Sequence, residues 1–254
     1  MATAQNNESR VRLDEFLVGR GFYATRSRAR DAVTRGAVSI DGCVVLKPGH
    51  VVAPSSDIRI DDPAARYVSR AALKLIAGLD HFGFDPAGAH ALDIGASTGG
   101  FTQVLLERGA AHVVALDVGH GQLAANLRND PRVTVIEGLN ARDLTLDHLA
   151  GSRPDFLVSD VSFISLTLAL PPALSLAASG ARGVFLVKPQ FEAGREAIGK
   201  GGLLKDAEEG PRVAERLRLW LGSQPGWRAL GVCPSPIEGG DGNHEFLLAG
   251  VKDQ

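Results

Sequence analysis

The sequence predicts an α/β domain built on a parallel sheet with helices on both faces, preceded by a smaller and more basic module. Two observations carry the first part of this prediction. From Ala89 onward, short apolar runs alternate with amphipathic segments, which is the pattern of consecutive strand–helix units. In the run Ala91–Thr102, an apolar segment is followed by a glycine-rich turn and a helix start. Ligands of such sheets bind outside the carboxyl ends of the strands, so function is expected at that edge.

The glycine-rich turn indicates a ligand but does not by itself identify one. Its glycines are at positions 95, 99 and 100, and Asp93 lies two residues before the first of them. Glycine suits positive φ and close approach of the backbone to a ligand, and a helix start offers free N–H groups. The spacing is not the G-x-G-x-x-G of dinucleotide binding, and no lysine follows Gly100 as a P-loop requires. A turn without a ligand remains an alternative at this point.

A second strand, His112–Asp117, ends in an acid at roughly the offset expected for a ribose-binding carboxylate. With no pyrophosphate to hold, the loop fits the amino-acid end of S-adenosyl-L-methionine, and Asp117 would bind the ribose hydroxyls. The two features resemble the first two motifs of class I methyltransferases. This resemblance implies a Rossmann-like, mostly parallel seven-stranded sheet. Cofactor contacts are then expected from Asp93, Gly95, Ala96, Ser97, Thr98, Gly99, Gly100, Phe101, Asp117, Asn140 and Asp160.

Asn140 follows the third strand and could meet the adenine, but a turn or helix-capping role explains it equally well. The strands are expected near 90–94, 112–117, 132–136, 155–159 and 183–187, with a final antiparallel edge hairpin at 228–233 and 244–251. One helix is expected to begin near Tyr67, and four further helices are expected over 100–109, 121–128, 165–177 and 206–221.

The composition excludes several classes of protein. Apolar residues make up 44% and charged residues 22%, as in ordinary globular proteins. Cys43 and Cys233 are far apart and the histidines are not clustered, so neither a disulfide framework nor a metal site is expected. The first residues are polar, and the longest apolar stretch contains two prolines and an arginine, so no signal peptide or membrane span is expected. A cytoplasmic protein is the prediction.

Charge is distributed unevenly between the two parts of the chain. Residues 1–70 hold eleven Arg/Lys against eight Asp/Glu, a net charge of +3, whereas the whole chain has −2. Five arginines lie between Arg20 and Arg35, where Asp31 is the single acid. Such asymmetry indicates an anion-binding module attached to a more acidic enzyme.

The N-terminal module is expected to contain helices over 10–20 and 25–36 and strands near 38–40, 44–46 and 58–60. The residues from Ser27 to Gly42 resemble the small RNA-binding fold of ribosomal small-subunit protein four. The predicted divisions are an RNA-binding domain (1–62), a linker (63–68) and a methyltransferase domain (69–254). Phosphate contacts are expected from Arg26, Arg28, Arg30, Arg35 and Arg70, although arginines on one helix can also form a merely solvated face.

Two strands of the predicted sheet end in a charged residue, Asp160 and Lys188. Together with two further residues they resemble the Lys–Asp–Lys–Glu tetrad of the FtsJ/RrmJ-like ribose 2′-O-methyltransferases. The phrases that carry the resemblance are S-R-A-A-L-K-L around Lys74, S-D-V-S-F around Asp160, L-V-K-P-Q-F-E around Lys188 and G-N-H-E-F around Glu245. The longer phrases S-D-V-S-F-I-S-L, K-P-Q-F-E-A-G-R and G-D-G-N-H-E-F, behind the N-terminal module, resemble the TlyA (haemolysin A) family.

The resemblance implies a cytidine ribose in ribosomal RNA or ribosomal subunits as the substrate. Methyl transfer to a hydroxyl requires alignment and loss of a proton, so Lys188 is expected to contact the 2′-oxygen and act as the base. Asp160 and Glu245 would orient the two lysines and balance their charge, with two purely structural ion pairs as the alternative. The competing functions are a non-catalytic RNA- or ribosome-binding protein and, from the family's historical name, a membrane-active haemolysin. The sequence leaves the oligomeric state open.

Overall fold

The computed structural model describes residues 10–240 and 242–253. They form two compact units, which divide the chain into Met1–Arg66 and Tyr67–Gln254. The division into 1–62, 63–68 and 69–254 that the sequence suggests stays a prediction at the level of individual boundary residues.

The smaller unit packs two helices against short strands. Thr25 begins the second helix, because its side chain accepts a hydrogen bond from the Arg28 N–H at 3.3 Å. Two short sheets have the strand orders β1-β4 and β3-β2-β5. The elements are β1 (Val11–Arg12), α1 (Leu13–Gly19), α2 (Arg26–Thr34), β2 (Val38–Ile40), β3 (Cys43–Val44), β4 (Val51–Val52) and β5 (Ile58–Ile60).

The larger unit contains the sheet that positions the site. Its strands are β6 (His90–Ile94), β7 (His112–Asp117), β8 (Val133–Glu137), β9 (Phe156–Ser159), β10 (Arg182–Val187), β11 (Trp227–Pro234) and β12 (Phe246–Lys252). They lie in the order β11-β12-β10-β9-β6-β7-β8. The five strands from β10 to β8 run parallel, whereas β12 is antiparallel to both β10 and β11. The predicted seven-stranded, mostly parallel sheet with its final antiparallel hairpin is therefore confirmed.

Helices cover this sheet on both faces. Successive residues of a strand point to opposite faces, and Leu92 and Ile94 accordingly belong to one apolar cluster while Ala91 belongs to the other. Full burial of each large apolar side chain stabilises the fold by about 1.5–3 kcal/mol. The helices are α3 (Ala72–Phe82), α4 (Gly100–Glu107), α5 (Ala125–Arg128), α6 (Leu166–Ala169), α7 (Pro171–Leu176) and α8 (Glu209–Gly222).

Several predicted element bounds are wrong. The helix predicted over 165–177 is divided at Leu170, because Pro171 and Pro172 have no N–H to continue the helical hydrogen bonds. The helix expected from Tyr67 begins only at Ala72, and the one expected over 121–128 is a single turn. Strands β1 and β4 have two residues each and were not predicted, because so short a segment carries no periodicity.

Candidate functional site

The carboxyl ends of the parallel strands bring the predicted residues to one edge of the sheet. The glycine-rich turn follows β6, Asp117 is the last residue of β7, Asp160 follows β9 and Lys188 follows β10. The turn is held to the neighbouring strand, since the Gly95 and Ala96 N–H groups donate to the Leu116 carbonyl at 2.8 and 3.0 Å.

Two glycines of the turn are required for different reasons. Gly95 has φ +83°, and a Cβ there would lie 3.0 Å from the Asp160 carbonyl oxygen. Gly99 has φ +98°, and its Cβ would lie 2.4 Å from a methyl carbon of Leu127 and 2.8 Å from one of Leu123. Gly95 therefore permits close approach at the sheet edge, whereas Gly99 permits α4 to pack close to α5.

Two adjoining cavities open along this edge. The smaller one is bounded by the glycine-rich turn, the chain before α3 and the charged ends of β9 and β10, and it is lined by Ser69, Ala71, Gly95, Ala96, Ser97, Thr98, Gly100, Phe101, Asp160, Ser162 and Lys188. The larger one, of ≈ 880 Å³, is within the size range of small-molecule sites, and Asp117 and Asn140 contribute to its lining. Asp93 and Gly99 are the two predicted cofactor residues that line neither cavity.

The Asp117 carboxylate is anchored by backbone donors. One oxygen accepts from the Ser97 N–H at 2.8 Å and the other from the Gly119 N–H at 2.7 Å. Each carboxylate oxygen has two lone pairs, so each retains the capacity to accept one further hydrogen bond from a ligand hydroxyl. Asn140 both lines the larger cavity and caps a turn, accepting from the Arg142 N–H at 3.1 Å, so the two explanations for it are compatible.

Asp93 lies in strand β6, two residues before Gly95 of the glycine-rich turn, and is completely buried. One carboxyl oxygen accepts from the Thr102 hydroxyl at 2.7 Å, and the other has no hydrogen-bond partner among the described residues. Burial raises the pKa of Asp93 to about 7, against the opposing effect of the Thr102 hydrogen bond and with a further contribution from the Asp160 charge. Through Thr102, this carboxyl connects strand β6 to helix α4, which follows the glycine-rich turn.

The four tetrad residues form two Lys–acid pairs. Lys74, on α3, is bonded to Glu245, and the side chains of both are almost fully buried. The Lys188 ammonium lies 2.6 Å from an Asp160 oxygen and donates to the Ser162 hydroxyl at 2.7 Å. Lys188 and Asp160 line the smaller cavity, whereas Lys74 and Glu245 do not.

Charge interactions also connect the two pairs. Burial raises the pKa of Glu245 above its ordinary value even though the Lys74 ammonium opposes this effect. Lys188 further opposes it and Asp160 adds to it. The arrangement therefore combines one amine at a cavity wall, beside a glycine-rich turn, with a second buried pair that supports the first electrostatically.

Comparison with known sequence families matches residues 67–252 to the FtsJ-like methyltransferases and residues 11–58 to the S4 domain. The chain belongs to the FtsJ-like methyltransferase family. The class I methyltransferase fold and the family predicted from the sequence are thereby confirmed.

Relatives of this FtsJ-like methyltransferase match along both domains. The chain is 46% identical to the 16S/23S rRNA (cytidine-2′-O)-methyltransferase TlyA of Mycobacterium tuberculosis, over 94% of this chain and 89% of the relative. It is 39% identical to Hemolysin A of Brachyspira hyodysenteriae, over 93% and 98%. Among solved structures, a putative hemolysin from Streptococcus thermophilus superposes with a TM-score of 0.74 at 38% identity, over 96% of this chain and 89% of that one.

The S4 domain of this FtsJ-like methyltransferase uses two of the predicted RNA-binding arginines in ion pairs. Arg26 donates to Asp14 at 3.0 Å, and Arg35 donates to Asp62 at 2.8 Å. Arg28 is half-buried and donates to the Ala65 carbonyl at 3.4 Å. Arg30 is exposed, and within residues 10–240 and 242–253 its guanidinium has no ion pair.

Burial raises the pKa of Asp14, whereas hydrogen bonds from Arg12 and Arg26 lower it. The net effect is a pKa below the ordinary value. Asp14 is therefore a buried ionised acid that holds Arg26 in place. Arg70, in the methyltransferase domain, is half-buried, with its guanidinium beside Gly240.

Sequence reasoning missed three groups of cavity residues in this FtsJ-like methyltransferase. Ser162 contacts Lys188, and Gln122 accepts from the Ser97 hydroxyl at 3.0 Å. Phe163 is 90% exposed with φ +64°, and its ring lies 5.0 Å from that of Phe191. The phrase S-D-V-S-F contained a signal for two of them, since it follows a strand at the functional edge. Nothing marked Gln122.

In the part of the chain that the structure describes, no helix has the length and apolar character needed to span a bilayer. The same residues contain no group of three or more His, Cys, Asp or Glu side chains arranged to hold a metal ion.

Proposed function

We propose that this protein transfers the methyl group of S-adenosyl-L-methionine to the 2′-hydroxyl of a cytidine ribose in ribosomal RNA. The observation that carries the proposal is the Lys188 amine, which lines a cavity beside the glycine-rich turn. The names of the relatives support the RNA substrate, because the Mycobacterium tuberculosis protein is an rRNA (cytidine-2′-O)-methyltransferase. Methylation of ribosomal RNA would take place in the cytoplasm.

The residues at the sheet edge fit S-adenosyl-L-methionine. Gly95 has φ +83° and a Cβ there would crowd the Asp160 carbonyl oxygen at 3.0 Å, so glycine keeps this part of the cavity wall open. Ser97 and Thr98 would hold the methionine part, Asp117 the ribose and Asn140 the adenine, all of which line the two adjoining cavities. When bound, the cofactor supplies an electrophilic methyl group on a positively charged sulfur.

Lys188 would accept the proton of the 2′-hydroxyl at its Nζ atom as the oxygen attacks the methyl carbon. Asp160, 2.6 Å from Nζ, then balances the ammonium that forms. Lys74 and Glu245 would not touch the reacting atoms. Their buried ion pair would set the electrostatic surroundings of Lys188, because Glu245 and Lys188 interact electrostatically.

RNA would be bound chiefly by the S4 domain. Arg30 is the strongest candidate of the predicted arginines for phosphate contact, since its side chain is exposed and has no carboxylate partner in the described chain. Arg26 and Arg35 act mainly within the domain, through Asp14 and Asp62.

The direct test supplies tritiated S-adenosyl-L-methionine to purified small and large ribosomal subunits. Wild-type protein should label ribosomal RNA, and 2′-O-methyl mapping should place the label on cytidine. Lys188→Ala should reduce kcat by at least about 100-fold, the usual contribution of a general base. Its affinity for S-adenosyl-L-methionine should change little.

Lys188→Arg is the matched control, because it retains a positive charge but cannot release its proton. It should be as inactive as Lys188→Ala. Substantial activity in the arginine variant would show that Lys188 contributes only charge. Absence of labelling by the wild-type protein, with RNA binding retained, would favour a non-catalytic RNA-binding protein.

A further inference from the structure

We propose that Ser162 is a positioning residue that aims the lone pair of Lys188 into the cavity where the 2′-hydroxyl reacts. This inference rests on the proposed function and adds a residue outside the tetrad. Ser162 lies in the turn between β9 and α6, lines the smaller cavity together with Asp160 and Lys188, and accepts a hydrogen bond from Lys188 Nζ at 2.7 Å.

A neutral lysine nitrogen has two N–H bonds and one lone pair, in tetrahedral arrangement, and it rotates freely about the Cε–Nζ bond unless acceptors hold it. Asp160 lies 2.6 Å from Nζ as an ion pair, but this oxygen accepts no hydrogen bond among the described residues and so directs no N–H. Ser162 accepts the hydrogen bond that directs one N–H of Lys188. With that N–H directed and the amine held beside Asp160, the lone pair is restricted to the directions left open at Nζ.

The directions left open at Nζ face the cavity. The Lys188 side chain is only 12% exposed, so most of its surroundings are protein, and the space left at Nζ is that lined by Asp160, Ser162 and the glycine-rich turn. A 2′-hydroxyl placed there would meet the lone pair. After proton transfer, the ammonium would donate to Ser162 and to the 2′-oxygen, and the Asp160 carboxylate beside it would balance its charge.

The backbone directly after Ser162 has an unusual conformation. Phe163 directly follows it with φ +64°, which is rare for a residue with a bulky side chain and costs on the order of 1–3 kcal/mol. The turn is fixed at its other end, because Glu192 accepts hydrogen bonds from the Ser165 hydroxyl at 2.6 Å and the Leu166 N–H at 2.7 Å. Glu192 follows Lys188 by four residues, so both ends of the turn are tied to the segment that carries the base.

The test compares Ser162→Ala with Ser162→Thr, which retains the hydroxyl, and with Ser223→Ala, which removes a hydroxyl at the carboxyl end of α8. Ser162→Ala should lower kcat on ribosomal RNA about 10-fold to 100-fold, the effect of losing a hydrogen bond to a charged group. KM and the affinity for S-adenosyl-L-methionine should remain within about threefold. Ser162→Thr should recover most of the activity, and Ser223→Ala should match the wild type.

A pH profile separates positioning from a merely structural role. Ser162 stabilises the ammonium by accepting a hydrogen bond, so the alanine variant should lose the Lys188 proton more easily. The acid limb of the pH profile of kcat should therefore shift to lower pH in Ser162→Ala. In Ser162→Thr it should return to the wild-type position. An unchanged limb with unchanged kcat, or a loss confined to cofactor affinity, would overturn the inference while leaving wild-type methylation intact. A wild-type protein that methylates no ribosomal RNA would instead refute the proposed function.

Discussion

Lys74 and Lys188 have the same side chain and the same kind of partner, but only Lys188 lines a cavity. Lys74 is 6% exposed and bonded to an acid that is 2% exposed, so both charges are satisfied within the protein. Lys188 and its partner Asp160 both line the smaller cavity, and the Ser162 hydroxyl is the second partner of Lys188. The surroundings, rather than the residue type, therefore favour Lys188 as the proposed base.

Asp117→Ala should weaken S-adenosyl-L-methionine binding by about 1.5–3 kcal/mol, because charge-assisted hydrogen bonds to the ribose would be lost. The chemical step should change less than the affinity. Calorimetric titration with the cofactor measures the first, and single-turnover methylation the second. Since Asp117 also accepts from the Ser97 N–H, thermal unfolding must show that the turn remains folded. Equal affinities in variant and wild type would remove Asp117 from the ribose site.

Asp93 should make the stability of the methyltransferase domain depend on pH. Its pKa is raised from 3.8 to about 7 by burial, so its contribution to stability is fully present below about pH 4 and is lost progressively as pH rises to about 7. Asp93→Asn keeps an acceptor for Thr102 but cannot ionise. Denaturant unfolding from about pH 5 to about pH 8 should show the wild type losing stability relative to Asp93→Asn, by on the order of 3 kcal/mol at most. Parallel curves for the two proteins would contradict this.

At the scale of elements, the arginines in and directly after helix α2 lie in two different surroundings, since Arg26 and Arg35 are ion-paired and Arg30 is exposed. The sequence identified the cluster and its position off the apolar side of the helix, but not the ion pairs. Asp14 precedes Arg26 by 12 residues and Asp62 follows Arg35 by 27, so these contacts depend on how the whole domain folds. No helical spacing rule reaches that far.

Arg30→Ala should therefore flatten the salt dependence of RNA binding by about one unit in the log–log slope, which is the contribution of one phosphate contact. It should leave the stability of the domain within about 0.5 kcal/mol. Arg35→Ala should leave the salt dependence of RNA binding unchanged. It should lower the stability of the domain by about 1–3 kcal/mol, because the Asp62 carboxylate loses a charged partner. Filter binding at several salt concentrations and urea unfolding measure the two effects. The same slope for Arg30→Ala and wild type would show that Arg30 is only a solvated residue.

The sheet edge was more accessible to sequence reasoning than the turns around it. Asp117, Asp160 and Lys188 each follow an apolar strand, so their convergence was predicted from the parallel order alone. The turn from Ser162 to Ser165 was not predicted, because its shape depends on Glu192 and on a Phe163 backbone angle that the residue type does not favour. The short strands β1 and β4 were missed for a different reason, since two residues carry no periodicity. The break at Leu170 comes from Pro171 and Pro172, which interrupt a segment whose apolar pattern alone favours one helix.

At the scale of the whole molecule, charge and chemistry are divided between the two units. The positive excess lies in residues 1–70, whereas the cavities and all four tetrad residues lie in the unit Tyr67–Gln254. Each unit has its own apolar core. The two tasks are therefore expected to separate when the chain is cut between them.

A fragment that begins at Tyr67 should fold and bind S-adenosyl-L-methionine as tightly as the full chain. It should methylate ribosomal RNA poorly, and its remaining activity should depend less on salt, because the phosphate contacts of the S4 domain are gone. Cofactor titration and methylation at low and moderate salt compare the two proteins. Equal methylation rates with equal salt slopes would show that the S4 domain does not target the RNA.

The position of β12 has a consequence for biosynthesis. This strand follows the other six strands of the sheet in chain order, inserts between β10 and β11 and begins directly after Glu245. Until it is in place, the Lys74 ammonium has no carboxylate beside it and β10, which carries Lys188 at its end, has an unpaired edge. A nascent chain can therefore form the glycine-rich turn before β12 is made, but it cannot complete the tetrad. A product of premature termination before β12 would expose the edge of β10, and such an unpaired edge favours pairing with other chains.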